Sequence, residues 1–225
     1  MFELVVFDIA GTTVYDGDAV NATFRAALAR AGIAADPVAV NAVMGLPKPE
    51  AIRILLSRAG RSVSEEQAQA IHDDFVRRMI EYYATNPSVR EIPGASTVFS
   101  RLRQAGIKVA LNTGFSKSVT EVLLTRLGWT VPAVIDAVVS SDEVTRGRPY
   151  PDMIQYLMGK LAIHDTRRVV KVGDTKADLE EGTNAGCGLV VGVCSGASTR
   201  EQLLAWPHRH IVESVVDLPA ILNLS

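Results

Sequence analysis

Leu4-Val5-Val6-Phe7-Asp8-Ile9-Ala10-Gly11-Thr12-Thr13-Val14 decides the fold class of this 225-residue chain. Leu4 to Phe7 is a short apolar run with β-branched members, which predicts a buried parallel strand. The run stops at Asp8, and Gly11 permits the backbone of a tight turn. A carboxylate at the carboxyl end of such a strand sits where open α/β sheets place their ligands. Taken alone, Asp8 reads equally well as a turn aspartate capping a loop.

Strand and helix patterns alternate again from Pro93 onward. A helix over Gly94–Gln104 precedes the apolar strand Ile107–Leu111, and Asn112-Thr113-Gly114 turns into a helix over Lys117–Leu127. Ala137–Val139 and Val169–Val172 predict further strands, each followed by a helix, over Asp152–Leu161 and Lys176–Ala185. Leu189–Val193 is another strand. The tail carries a helix over Thr199–Ala205, a weak strand near Ile211 and a last helix near Leu218–Leu222. Repeated units of this kind imply a doubly wound parallel sheet, a Rossmann-like α/β core.

The segment between is different. Phe24, Ala27 and Leu28 mark a helix that stops at Gly32, and Asp36 to Met44 a shorter one with Pro37 in its first turn. Ile52, Leu55 and Leu56 mark a third. Ser64 and Gln67 form a capping box for a fourth, running through Ile71, Phe75 and Met79 to Tyr82 and Tyr83. Residues 17–86 therefore read as an inserted all-helical cap, with 1–16 plus 87–225 as the core.

Bulk properties exclude several classes. A formal net charge of -2 leaves no basic field for nucleic acid or a membrane surface. No apolar run reaches the ~20 residues that a bilayer requires, and Met1 leads straight into the first strand, so a cytoplasmic protein is expected. Cys187 and Cys194 lack metal-ligand spacing and read as reduced, buried small hydrophobes. His208 and His210 have no third ligand nearby and are expected at the surface, as are His72 and His164. Tyr82 and Tyr83 read as packing residues or as lining of a cap–cap contact. Trp129 and Trp206 read as core or rim, and Glu180 and Glu181 as a solvated helix face.

Asp8, Thr113 and Asp174 all fall where an apolar strand ends, so a parallel sheet brings them to one edge. Asp178 lies four residues beyond Asp174, on the first turn of the next helix, and can face the same point. Carboxylates gathered there repel one another unless a cation is bound, and hard oxygen ligands suit Mg²⁺. Thr113 and nearby backbone N–H groups offer donors to phosphate, and Arg148 offers a cationic fork for the same anion.

The ordered set Asp8-x-Ala10-Gly11-Thr12, Thr113-Gly114, Arg148-Pro149 and Gly173-Asp174-Thr175 with Asp178 resembles the haloacid dehalogenase superfamily over essentially the whole chain. That superfamily usually has a second aspartate two residues after the nucleophile, and lysine in its third motif. Ala10 and Arg148 at those places resemble the phosphonatase branch, the phosphonoacetaldehyde hydrolases and their relatives. The chemistry agrees: an alkoxide leaving group needs an acid beside the nucleophile, whereas a stabilised carbon fragment does not. Lys48 is the only lysine of the cap and can form a Schiff base, which arginine cannot. Taken alone it reads as a solvated surface lysine. Met44-Gly45-Leu46-Pro47-Lys48, however, resembles the phosphonatase cap motif whose lysine captures an aldehyde.

The resemblance implies catalytic roles for Asp8, Lys48, Thr113 and Arg148, and substrate contacts from Ala10, Gly11, Thr12, Gly114 and Phe115. It implies Mg²⁺ held by Asp8, the Ala10 carbonyl and Asp174, with Asp178 as ligand or as the group orienting a bound water or a motif hydroxyl. It also suggests a homodimer formed through the cap, for which Phe24 and Leu28 would supply an apolar face. The substrate would be a small phosphonate or phosphate. Three positions depart from the phosphonatase pattern: Asp18, Ala51 and Phe115 replace a cysteine, a histidine and a tyrosine. The proton shuttle for Schiff-base formation must then come from elsewhere, with Asp18, Glu50 or a water as candidates. The departures favour a relative acting on a different 2-oxoalkylphosphonate. A small phosphomonoester phosphatase of the phosphoglycolate type and a non-catalytic phosphate sensor are the rival readings.

Overall fold

Leu4–Phe7 forms strand β1 in the computed structural model of the chain, which describes residues 1–61 and 64–224, and all four side chains are buried. Val5 and Phe7 pack with Val98, Phe99 and Leu102 of helix α5 (Ala95–Gln104), while Leu4 and Val6 pack with Met153, Ile154 and Leu157 of α7 (Asp152–Lys160). Alternate side chains thus feed opposite faces, so the whole run must be apolar.

Five further strands complete the sheet: β2 (Lys108–Thr113), β3 (Ala137–Ser140), β4 (Val169–Gly173), β5 (Leu189–Val193) and β6 (His210–Val212). Their order is β3-β2-β1-β4-β5-β6, and every neighbouring pair is parallel. The chain winds outward from β1 to β3, then crosses back to β4 on the other side of β1. The resulting switch point opens a crevice at the carboxyl ends of β1 and β4. Helices α6 (Lys117–Leu127), α8 (Lys176–Asn184), α9 (Arg200–Leu204) and α10 (Leu218–Ile221) complete the layers.

The helical region between β1 and α5 contains α1 (Ala19–Arg30), α2 (Pro37–Asn41), α3 (Lys48–Arg58) and α4 (Glu65–Thr85). Ser64 and Gln67 make the expected reciprocal cap at the start of α4, and the Asp36 side chain caps α2, which is shorter than its sequence pattern suggests. Phe24 and Leu28 point into the centre of this region, where Phe24 meets Phe75 at a centroid separation of 5.3 Å. They offer no outer apolar face, so the residues expected to carry a cap-mediated dimer are its core instead. The chain leaves and re-enters the core through paired segments: Tyr15 N–H donates to Arg90 O (3.0 Å) and Ile92 N–H to Thr13 O (2.8 Å). We propose that the cap and core divide at this crossing, as residues 17–86 and 1–16 with 87–225.

Smaller expectations fare unevenly. Trp129 is core and Trp206 is rim, while His164 and His210 are exposed and His72 and His208 half-buried. Both cysteines are free but only partly buried, packed beside Leu179, Val190 and Leu203. No helix among the described residues is long and apolar enough to cross a membrane.

Candidate active site

Asp8 leaves β1 with its backbone N–H still bonded to Val172 O of β4 (2.9 Å), which fixes the residue at the switch point. Thr113 closes β2, and Asp174 follows β4 directly. Asp178 reaches the same place from the first turn of α8, where its carboxylate and the Thr175 hydroxyl cap the helix reciprocally. Oxygens of Asp8, Asp174 and Asp178 lie within 4.8 Å of one another.

The three carboxylates are not equivalent. Asp178 is buried, yet the charges of Arg148 and Lys171, each 3.0 Å from its Oδ1, outweigh burial and hold it below the usual carboxylate range. That oxygen makes no well-directed hydrogen bond. Asp8 is raised to about 6 by burial, against the pull of Arg148, whose Nη1 lies 2.6 Å from Asp8 Oδ1. Asp174 is pushed well above its usual value by burial and by the charges of Asp8 and Asp178. Its partners are neutral: the Thr12 hydroxyl (2.8 Å) and the Ala197 N–H (2.7 Å). Asp174 and the second oxygen of Asp8 therefore lack a cationic partner among the described residues. An oxygen-only donor set with uncompensated negative charge fits a hard divalent cation.

Arg148 departs from expectation. It is 0% exposed, and its guanidinium is committed to protein: Nε to Glu181, Nη1 to Asp8 and Asp178, Nη2 to both oxygens of Asn112. No free fork remains for an incoming anion, so its charge acts through Asp8. Glu181 is likewise no solvated residue. It is buried, accepts from Asn112 Nδ2 (2.9 Å to each oxygen) and contacts Lys171 Nζ at 3.0 Å. Its neighbour Glu180 does sit at the helix surface, paired with Lys176. Lys171, missed in the sequence, is the one charge inside an otherwise apolar strand, a signal that an ion pair must wait for it.

Lys48 opens α3 and enters the site from above. It is 4% exposed, and its Nζ lies 5.6–5.8 Å from the ring centroids of Phe24, Phe75 and Phe115. No carboxylate among the described residues pairs with it. Burial pushes the ammonium down to about 8, against the raising influence of Asp8 and Asp16.

The cap loop that delivers Lys48 is pressed onto the core. A Cβ on Gly114 would lie 2.7 Å from Leu46 O, and one on Gly45, which has φ +81°, would lie 2.2 Å from Thr175 Oγ1. Between cap and core is a cavity of about 270 Å³, whose walls include Asp8, Lys48, Thr113, Asp174 and Asp16.

Of the other expected contacts, Ala10, Gly11, Gly114 and Phe115 line the cavity. Thr12 does not, its hydroxyl being spent on Asp174. Thr113 Oγ1 accepts from Phe115 N–H (3.2 Å), which leaves its own proton for a ligand. Phe115 contributes a buried ring, with Tyr83 packed edge-on at 5.9 Å. Asp18 lies on the cavity wall but is exposed, 3.9 Å from Arg25, and Glu50 is exposed away from it.

Comparisons with known proteins point to one family. Residues 5–192 match the model of the haloacid dehalogenase-like hydrolase family. Phosphonoacetaldehyde hydrolase of Bacteroides fragilis is 31% identical, over 99% of this chain and 96% of its own. A phosphonoacetaldehyde hydrolase-like protein from Oleispira antarctica superposes with a TM-score of 0.82 at 26% identity, covering 99% of this chain and 91% of that one. A hydrolase from Pseudomonas syringae shares the fold, with a TM-score of 0.89 at 19% identity over 99% of this chain and 98% of that one.

Proposed function

The chain belongs to the haloacid dehalogenase-like hydrolases, and from that premise we propose that it cleaves the carbon–phosphorus bond of a 2-oxoalkylphosphonate. One observation carries the reading: an unpaired lysine with a lowered pKa, buried beside the cavity that holds Asp8, where Ala10 supplies no acid. A phosphomonoesterase has no use for that amine, whereas a carbonyl does.

In this mechanism the neutral Lys48 amine condenses with the substrate carbonyl, and water is lost. The iminium draws electron density from the adjacent carbon. Asp8 attacks phosphorus through its free oxygen, forming an O–P bond as the C–P pair moves into the enamine. Arg148 holds the other Asp8 oxygen and fixes the line of attack, and the Thr113 hydroxyl can donate to a phosphoryl oxygen. The enamine carbon takes a proton from solvent to regenerate the iminium, and water then hydrolyses the iminium and the aspartyl phosphate, freeing both residues. A divalent cation, Mg²⁺ by its preference for such donors, would be held by Asp8, Asp174 and the Ala10 carbonyl and would offset phosphoryl charge. Asp178 is already neutralised by Arg148 and Lys171 and serves to orient Thr175.

The test is release of phosphate and the cognate aldehyde or ketone from a panel of 2-oxoalkylphosphonates, phosphonoacetaldehyde included. Turnover that falls at least a hundredfold in Lys48→Arg supports the reading. Release of phosphate from phosphoglycolate or sugar phosphates, equal in wild type and Lys48→Arg, replaces it with the phosphatase.

A further inference from the structure

Schiff-base formation needs a group that takes a proton from the attacking nitrogen and delivers one to the departing oxygen. The three side chains expected to shuttle protons are replaced here by Asp18, Ala51 and Phe115, and the structure makes none of them a substitute: Asp18 is exposed, Ala51 is inert and Phe115 is apolar. We propose that Asp16 is the proton-transfer residue for Lys48, an inference that rests on the Schiff-base reading above.

The geometry supports it. Asp16 and Lys48 line the same cavity, approaching from the segment before α1 and from α3, without pairing directly. Each is near enough to feel the other's charge. Asp16 is half-buried and steadied at the start of α1, where its Oδ1 accepts from Val20 N–H (3.2 Å). Burial raises its carboxyl to about 6, so at neutral pH it can both accept and return a proton. The groups around it are Asp18 on the same turn, Lys48 from α3, Tyr82 and Tyr83 from α4, Tyr15 with Arg90 stacked on it, and Asp8 across the cavity. Both α4 phenols are held above their usual range, by burial first and then by Asp16, and stay neutral.

The amine lone pair forms the N–C bond as the carbonyl π pair moves to oxygen, and Asp16 carries one N–H proton across to that oxygen. This gives the neutral carbinolamine and restores the carboxylate. Asp16 then takes a second proton from solvent and gives it to the hydroxyl as the C–O bond breaks. Water leaves, and the nitrogen lone pair forms the C=N bond.

Rapid-quench borohydride trapping with phosphonoacetaldehyde, run from pH 5 to 9, tests the proposal. Asp16→Asn can still accept from Val20 N–H, so its melting temperature should match wild type. Its adduct should form at least tenfold more slowly at pH 7, and added formate or Asp16→Glu should restore part of the rate. Adduct formation by Asp16→Asn at the wild-type rate across the pH range overturns the role of Asp16. A slow Asp16→Asn that neither formate nor Asp16→Glu improves reduces Asp16 to a helix cap. No adduct in wild type overturns the Schiff-base reading, and this inference with it, and so marks that failure as distinct.

Discussion

Burying an ammonium that no carboxylate pairs works against folding, and Lys48 is such a group. Burial pushes its amine down to about 8 in the folded chain, from an ordinary 10.5. The unfolded chain therefore binds this proton more tightly, and the penalty is fully present below pH 8 and relieved as pH rises towards 10.5. A shift of this size corresponds to about 3 kcal/mol. Lys48→Met, similar in length and without the charge, should abolish C–P cleavage while raising stability at pH 7 by about 2–3 kcal/mol in chemical denaturation. That gain should shrink towards pH 10. A Lys48→Met protein less stable than wild type would mean that the amine is paired in the fold. The same titration governs chemistry with the opposite benefit: roughly a tenth of the amine is neutral at pH 7, against well under a thousandth for an ordinary lysine.

Two elements hold the reacting groups in register, and each makes its own prediction. The cap loop Gly45-Leu46-Pro47 lies on the core so closely that Gly114 has no room for a side chain. Gly114→Ala must push that loop outward and carry Lys48 with it. A displacement of about 1 Å can cost on the order of a hundredfold in rate, so kcat/KM should fall ten- to a hundredfold with the melting temperature little changed. Unaltered kcat/KM would show that the cap does not need this closure for the reaction. Beneath the site, α8 and β4 are joined by the buried Glu181–Lys171 contact, which also touches Arg148 and Asn112. Removing one partner leaves a buried charge, so Glu181→Leu alone should lose about 3 kcal/mol or more, and Lys171→Met/Glu181→Leu together should recover much of it. Strict additivity of the two losses would argue against a coupled pair.

These elements also show what could be read from the chain alone. β1 was legible because a run buried on both faces must be apolar throughout, and Asp8, Thr113 and Asp174 because strand ends of a parallel sheet share an edge. Lys48 stood out as the cap's only lysine. Glu181 was hidden because one-dimensional pattern places it beside the exposed Glu180, and only the packing of α8 against β4 turns it inward. Arg148 was found, but which of its N–H groups remain free depends on three elements far apart in sequence. Asp16 carried no signal in the sequence, because only the folded cap brings Lys48 and the α4 phenols around it.

At the scale of the molecule, the buried centre carries more carboxylate than cation. Asp8, Asp174, Asp178 and Glu181 face Arg148 and Lys171, and Asp174 has only neutral hydrogen-bond donors. Burial and mutual repulsion keep Asp8 and Asp174 above the usual carboxylate range, so the folded chain favours their protonated forms. A divalent cation that binds the ionised pair should therefore stabilise the fold by mass action, by about 2.7 kcal/mol at a hundred times its Kd. In a chain of this size that is roughly 5–10 °C in melting temperature. Because protons compete for the same oxygens, the shift caused by Mg²⁺ should diminish as pH falls through about 6, where Asp8 protonates. Asp174→Asn separates repulsion from binding. It removes one repelling charge, so in EDTA it should melt at or above the wild-type temperature, yet Mg²⁺ should raise its melting point far less than in wild type. Equal Mg²⁺-induced shifts in the two proteins would place the cation elsewhere and leave Asp174 to hold the loop at Ala197.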